Sequence, residues 1–209
     1  MIMHAAETYD FSEDWFSNHI PSWRRILERV RPRRVLEIGC YEGRSTSFII
    51  EACSGYGPLS LCCVDTWQGS ADLAAERMRG VERRFDENVA LAIRQAAAPV
   101  QLTKLKTPSQ AALTTLIAGN SEAFDLIYID GSHTAPDVLL DAVLAFQLVR
   151  IGGVMIFDDY LWSMELPLYA DPLNTPKLAI DTFTTIYARK VRVLPDLPNA
   201  QCYVEKIAT

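Results

Sequence analysis

The chain lacks any apolar run that approaches the ~18 residues of a membrane-spanning helix. It has no excess of positive charge either, since 20 Lys and Arg stand against 26 Asp and Glu and the net charge is −6. This balance gives no electrostatic reason to expect nucleic acid or an anionic membrane as a partner. The first ten residues show no basic-then-apolar signal pattern. Together these absences favour a cytoplasmic protein that binds neither nucleic acid nor membrane.

The cysteines show no metal-binding spacing. The five cysteines contain no C-x-x-C pair, and most lie in apolar stretches: Cys40, Cys53, Cys62, Cys63 and Cys202. We therefore expect buried thiols in a reducing cytosol. The apolar content of 49% over 209 residues is enough for one domain with a substantial core.

Segments of strand and helix character alternate along most of the chain, which predicts an α/β fold with a parallel sheet covered on both faces. The pattern predicts a doubly wound, mostly parallel, seven-stranded sheet with an antiparallel C-terminal edge strand. We divide the chain into a helical N-terminal segment, 1–33, that packs on a main domain, 34–209. The predicted strands are 34–38, 60–65, 100–105, 124–129, 154–157, 191–194 and 202–204, and the longest predicted helix is 71–98, broken near Gly80.

The most informative segment is a strand followed by a glycine turn and a helix start, V-L-E-I-G-C-Y-E-G-R-S from Val35 to Ser45. Such a turn lets the backbone approach a nucleotide-like ligand, and the first N–H groups of the helix point at it. Tyr41 stands where a dinucleotide site has its second glycine, so the pattern argues for a ligand without a pyrophosphate.

At this point the chain resembles the class I S-adenosylmethionine-dependent methyltransferases. The form E-x-G-x-Y-x-G-x-S is similar to their catechol O-methyltransferase-like branch. The resemblance implies that the turn holds the methionine part of the cofactor, and that Glu37 steadies the loop or the cofactor's amino group. The turn residues with this implied role are Gly39, Tyr41, Gly43 and Ser45. The alternative is a tight turn in an unrelated α/β protein.

Four further residues are expected around the cofactor. Asp65 ends the second strand, and its carboxylate can accept both hydrogen bonds of a ribose diol. Trp67 is either a wall for the adenine or an anchor in the core. Ser109 follows the third strand, where the family holds the adenine edge, although a helix cap alone would explain it. Asp130, which follows the fourth strand, is expected to contact the cofactor as well.

Three carboxylates follow two strands that should be neighbours in the sheet: Asp130, Asp158 and Asp159. Carboxylates brought together repel one another unless one is protonated, and a hard cation such as Mg²⁺ removes that repulsion. The arrangement I-D-G-S-H … F-D-D-Y resembles the metal-dependent O-methyltransferases of antibiotic-sugar and catechol type. That resemblance implies that all three are metal ligands. The alternative is that they are helix caps at strand ends.

The chain departs from the catechol branch in this region. The branch has Asp-Asn where this chain has Asp158-Asp159, and it carries a lysine after its first metal aspartate. Here His133 follows Asp130 instead, and D-x-x-H resembles the macrolide-sugar methyltransferases, in which the histidine takes the substrate's proton. Imidazole has an ordinary pKa of ~6.5, which suits a base at neutral pH. We therefore expect His133 and Asp130 to be catalytic, although His133 could instead bind a ligand or precede the helix cap.

The sequence as a whole predicts methyl transfer from S-adenosylmethionine to a hydroxyl of a small diol or catechol-like molecule, assisted by Mg²⁺. The aromatic segment 160–175 is a candidate substrate wall, and the apolar N-terminal helices are a candidate homodimer contact. Three alternatives stay open: a metal-independent methyltransferase that uses His133 as its base, a nicotinamide-dependent oxidoreductase, and a non-catalytic cofactor sensor.

Overall fold

The computed structural model describes residues 8–69, 76–119, 123–163 and 171–209. Within these ranges the chain forms one mixed sheet with helices on both sides. The strands are β1 Arg34–Ile38, β2 Leu59–Asp65, β3 Val100–Lys106, β4 Phe124–Ile129, β5 Val149–Phe157, β6 Val191–Val193 and β7 Cys202–Lys206. The α-helices are α1 Ile20–Val30, α2 Arg44–Ser54, α3 Val81–Gln95, α4 Ser109–Ala118, α5 Ala135–Leu148 and α6 Pro176–Ile186.

The seven strands follow the order β3-β2-β1-β4-β5-β7-β6. The first five are parallel to one another, and β7 is antiparallel to both β5 and β6. The predicted fold class is confirmed, and the reversed strand β7 lies between β5 and β6. The order changes direction between β1 and β4, so this point is the topological switch point of the sheet.

Two apolar layers cover the sheet because successive strand residues point to opposite faces. On one face, Val35 and Leu61 pack with helices α1, α2 and α3. On the other, Leu36 and Ile127 pack with helices α4, α5 and α6. Both faces of the central strands are therefore buried, which explains why these strands read as near-continuous apolar runs.

The largest difference from the sequence prediction is the helix expected at 71–98. Residues 76–80 form turns, and α3 begins only at Val81, after Gly80 adopts a φ of +72°. Residues 70–75 lie outside the described residues, as do 164–170 of the candidate substrate wall. Among the residues that the structure describes, no helix is both long enough and apolar enough to cross a membrane.

Candidate active site

The carboxyl ends of four parallel strands meet at one edge of the sheet. Backbone hydrogen bonds continue the pairing of the strands just beyond their ends. The Gly39 amide donates to the Val64 carbonyl at 2.9 Å, and the Asp130 amide donates to the Ile38 carbonyl at 2.8 Å. Asp65, Gly39, Asp130 and Asp158 consequently stand in a row. A cleft of about 1150 Å³ lies above this row. The structure thus brings the predicted strand-end residues together at the switch point, where open α/β sheets bind their ligands.

The glycine turn between β1 and α2 uses left-handed backbone three times, with φ of +82° at Gly39, +45° at Tyr41 and +78° at Gly43. Gly39 is also in very close contact with the next strand. A Cβ at this position would lie 1.8 Å from the carbonyl oxygen of Asp130. Only glycine combines this conformation with this approach. Gly39 and Tyr41 both line the cleft, as predicted for residues around the methionine part of a cofactor.

Glu37 lies below the turn, with its side chain fully buried. Its carboxylate accepts hydrogen bonds from the hydroxyls of Ser45 and Thr46, the latter at 2.6 Å. Burial raises the pKa of Glu37 to about 7. These contacts join β1 to the first turn of α2. They are the contacts expected of a residue that steadies the loop, which is the first of the two roles expected for Glu37. Ser45 lines the cleft above it.

Asp65 fixes the shape of the turn from the neighbouring strand. Its carboxylate accepts hydrogen bonds from the amides of Cys40 at 2.8 Å and Tyr41 at 3.0 Å. It also accepts one from the amide of Trp67, two residues further along, at 2.7 Å. A carboxylate has about four acceptor positions. The three amides occupy three of these positions, so Asp65, which lines the cleft, keeps about one for the predicted ribose contact instead of the two that a diol would use.

Trp67 is an anchor in the core. Its side chain is 6% exposed, its indole N–H donates to the Tyr41 carbonyl at 3.0 Å, and its ring packs on Phe85 at 4.9 Å. The Lys104 ammonium lies 4.4 Å from its ring centroid. Of the two roles that the sequence left open, the structure thus shows the core anchor, and Trp67 does not line the cleft.

Ser109 opens α4 as its first residue, and the N-cap is Pro108, which corrects the expected capping role. Ser109 lines the cleft, and its side chain forms a hydrogen bond with Asp141 of α5. Burial raises the pKa of Asp141 to about 6. The hydroxyl is thereby held between the helices that follow β3 and β4, beside the position predicted for the adenine edge.

The N-terminal segment forms one wall of the cleft. The sequence did not indicate which residues of this segment would line it. Trp15 packs its ring on Tyr41 at 5.1 Å, and His19 approaches Asp158 with 3.9 Å between Nε2 and Oδ1. Both line the cleft. Two buried polar residues attach the segment to the turn and to α3: the Ser12 hydroxyl donates to Glu42 at 2.7 Å, and the Asp10 amide donates to Asn88 at 2.8 Å.

Asp130 and Asp158 meet at a tyrosine. The hydroxyl of Tyr128 lies 3.0 Å from Oδ2 of Asp130 and donates to Oδ2 of Asp158. Burial and the neighbouring carboxylates of Asp158 and Asp159 raise the pKa of Asp130 well above its ordinary value. Burial and the Asp159 carboxylate also raise the pKa of Asp158. The carboxylates of Asp158 and Asp159 are thus near enough to affect the ionisation of Asp130.

Asp159 has a left-handed backbone, with a φ of +54°, and its carboxylate contacts His133. The distance between Nε2 of His133 and Oδ2 of Asp159 is 2.9 Å. The ring of Trp162 lies 4.5 Å from the imidazole on another side. A carboxylate and an aromatic ring therefore fix the orientation of His133 in the cleft, a few residues from the end of β4.

The acid cluster fits a divalent cation. One ligand atom each from Asp130, His133 and Asp159 lies within 4.8 Å of the other two. Asp158 adjoins this group through the Tyr128 hydroxyl that it shares with Asp130. Burial and, after it, repulsion from neighbouring carboxylates raise the pKa of both Asp130 and Asp158, and a hard cation with oxygen ligands would relieve that repulsion.

Comparison with known proteins decides the family. Residues 36–160, more than half of the chain, match the methyltransferase domain family. The chain belongs to this methyltransferase family. The match includes the glycine turn, Asp65 and the whole acid cluster up to Tyr160. The resemblance to class I S-adenosylmethionine-dependent methyltransferases is confirmed, together with the fold that it implied.

Relatives of this methyltransferase are distant in sequence. Tapetum-specific methyltransferase 1 of Arabidopsis thaliana is 22% identical over 175 residues, which cover 80% of this chain and 66% of the relative, just under two thirds of its length. An O-methyltransferase from Bacillus cereus in complex with SAH has a TM-score of 0.61 at 17% identity, covering 94% of this chain and 84% of that one. The O-methyltransferase TomG from Streptomyces achromogenes in complex with SAM has a TM-score of 0.61 at 18% identity, covering 92% and 81%.

Proposed function

We propose that this methyltransferase transfers the methyl group of S-adenosylmethionine to a hydroxyl oxygen of a small molecule with two adjacent oxygens. One observation carries the proposal: an oriented histidine and three carboxylates lie beside the glycine turn, in the same cleft. The solved neighbours that are named O-methyltransferases, two of them in complex with SAH or SAM, support it.

The cofactor's place follows from the row of strand ends. We assign its methionine part to the turn at Gly39, Tyr41 and Gly43, its ribose to Asp65, and its adenine edge to Ser109, since Gly39, Tyr41, Asp65 and Ser109 line one continuous cleft. Gly43 does not line this cleft; a Cβ there would face Phe85 and Val89 of α3. Bound in this way, S-adenosylmethionine supplies a methyl group on a sulfonium. The chain must then hold a hydroxyl oxygen in line with the S–CH₃ bond, and positioning of this kind alone supplies several kcal/mol.

We assign the cation to the three carboxylates of Asp130, Asp158 and Asp159, with Mg²⁺ as the expected ion. When bound there, such an ion lowers the pKa of a hydroxyl and fixes its direction. An acceptor with two neighbouring oxygens, such as a catechol or a sugar diol, suits this site because both oxygens can reach one ion.

His133 is the proposed base. When its Nε2–H donates to Asp159, the lone pair lies on Nδ1, and this is the nitrogen that accepts the proton of the acceptor's hydroxyl. The Asp159 carboxylate stabilises the imidazolium that results. Because the same pair would work without a cation, a metal-independent methyltransferase is the second candidate.

The test is a methyl-transfer assay with S-adenosylmethionine and a panel of catechols and sugar diols. We expect methylated product in the presence of Mg²⁺, its loss after treatment with EDTA, and its return when Mg²⁺ is restored. Turnover that EDTA leaves unchanged would favour the metal-independent candidate. Binding of NADH in place of S-adenosylmethionine would support the oxidoreductase alternative and contradict the proposal. The cytoplasmic location, the absence of nucleic-acid and membrane partners, and a homodimer stay predictions.

A further inference from the structure

Tyr128 is a polar residue at the centre of the sheet. It lies in β4 between Ile127 and Ile129, and its side chain is 1% exposed. A buried tyrosine hydroxyl requires a hydrogen-bond partner. Two carboxylates lie within hydrogen-bond distance of its single proton, those of Asp130 from the end of β4 and Asp158 from the end of β5. The hydroxyl therefore joins two residues to which the proposed function assigns the cation.

The ring of Tyr128 is fixed from below by the N-terminal segment and α1. Trp23 packs its edge against the ring, with centroids 4.8 Å apart and an interplanar angle of 90°, and Phe16 does so at 6.3 Å and 66°. Trp23 is in turn fully buried, and its indole N–H donates to Gln201 at 2.9 Å. Because these contacts leave the ring little freedom, its hydroxyl is a fixed point between the two acids.

We infer that Tyr128 is a positioning residue whose hydroxyl holds the Asp130 and Asp158 carboxylates at the spacing that one divalent cation requires. This role rests on the cation of the proposed function. Carboxylates held in advance lose less conformational freedom when an ion binds. Groups that hydrogen-bond to metal ligands without touching the metal contribute about 10- to 100-fold to metal affinity in proteins.

The direct test is Tyr128→Phe, which removes one oxygen and keeps the ring that packs on Trp23. The measurement is the affinity for Mn²⁺ by isothermal titration calorimetry on the full chain, in the presence of SAH. We expect the variant to bind Mn²⁺ about 10- to 100-fold more weakly than the parent, while its affinity for SAH is unchanged.

Tyr203→Phe is the matched control. The Tyr203 side chain is 2% exposed, and its hydroxyl donates to Gln201 at 2.6 Å, with no hydrogen bond to either acid. The Tyr203→Phe variant loses a buried hydroxyl just as Tyr128→Phe does. Because the lost hydroxyl bonds neither acid, we expect this variant to keep the Mn²⁺ affinity of the parent even if its melting temperature falls. A general loss of structure would lower the Mn²⁺ affinity of both variants alike.

Three results would overturn the inference. The first is an unchanged or tighter Mn²⁺ affinity in Tyr128→Phe, and the second is an equal loss of affinity in Tyr203→Phe. The third is a parent protein that binds no Mn²⁺ yet transfers methyl groups. In that case the proposed methyl transfer is supported, and both the proposed cation and the proposed role of Tyr128 are wrong.

Discussion

Replacing His133 with alanine should lower turnover by about 10²–10⁴-fold, because the substitution removes the group that takes the proton from the acceptor's hydroxyl. The imidazole is held at 2.9 Å by Asp159 and lies against Trp162, so the substitution removes an oriented base. Affinity for S-adenosylmethionine should stay close to that of the parent, since His133 lies outside the glycine turn that we assign to the cofactor. Steady-state kinetics and calorimetry measure the two quantities separately.

The same variant also distinguishes a base from a metal ligand. One ring nitrogen of His133 lies in the same group of ligand atoms as Asp130 and Asp159. If His133 takes the proton and does not bind the ion, turnover falls, while the Mn²⁺ affinity falls by no more than the about 10- to 100-fold expected when Asp159 loses a hydrogen-bond partner. A larger loss of Mn²⁺ affinity together with turnover would instead make His133 a ligand, and unchanged turnover would remove it from the chemistry.

Gly39→Ala should abolish measurable cofactor binding, a loss of at least about 10²-fold, because a displacement of the order of 1 Å in a positioning element is enough to produce it. The added Cβ would lie 1.8 Å from the Asp130 carbonyl oxygen and 2.8 Å from the Gly131 amide nitrogen. Both atoms belong to backbone, which cannot rotate away. Either the turn or the end of β4 must move, and both line the cleft.

Gly55→Ala is the control at the other end of α2. Gly55 has a φ of −64°, and a Cβ there would make only ordinary contact with the Ala52 carbonyl at 3.5 Å. We expect this variant to bind S-adenosylmethionine like the parent. Calorimetric affinities and thermal melting of both variants test the argument. A Gly39→Ala protein that binds the cofactor normally would show that the turn does not hold it.

The row of strand ends could be predicted because it depends on chain order and strand direction alone. Val35–Ile38, Phe124–Ile129 and the strand before Asp158 each read as buried strands followed by a glycine or an acid. In parallel neighbours those residues must meet at one edge. The sequence was therefore sufficient for the fold and for the neighbourhood of Asp65, Gly39, Asp130 and Asp158.

Side-chain directions were harder to predict, because they depend on contacts between distant parts of the chain. Trp67 lies two residues beyond Asp65, yet its left-handed backbone, with a φ of +52°, accompanies a ring that packs on Phe85 in the core. In the sequence, Tyr128 is indistinguishable from the apolar core residues of β4. Its role depends on Asp158, which only the fold brings next to it. The wall formed by Trp15 and His19 depends on Glu42 and Asn88, which hold the N-terminal segment to the turn and to α3 and carry no local sequence signal.

The most direct measurement is a crystal structure of the protein with S-adenosylmethionine and Mn²⁺, with the ion located by its anomalous scattering. We predict one manganese peak within coordination distance of the Asp130, Asp158 and Asp159 carboxylates, and the sulfonium of the cofactor beside the turn from Gly39 to Gly43. Cofactor density in another part of the molecule, or cofactor in the cleft with no manganese at the acids, would contradict a cation-assisted methyl transfer at this site.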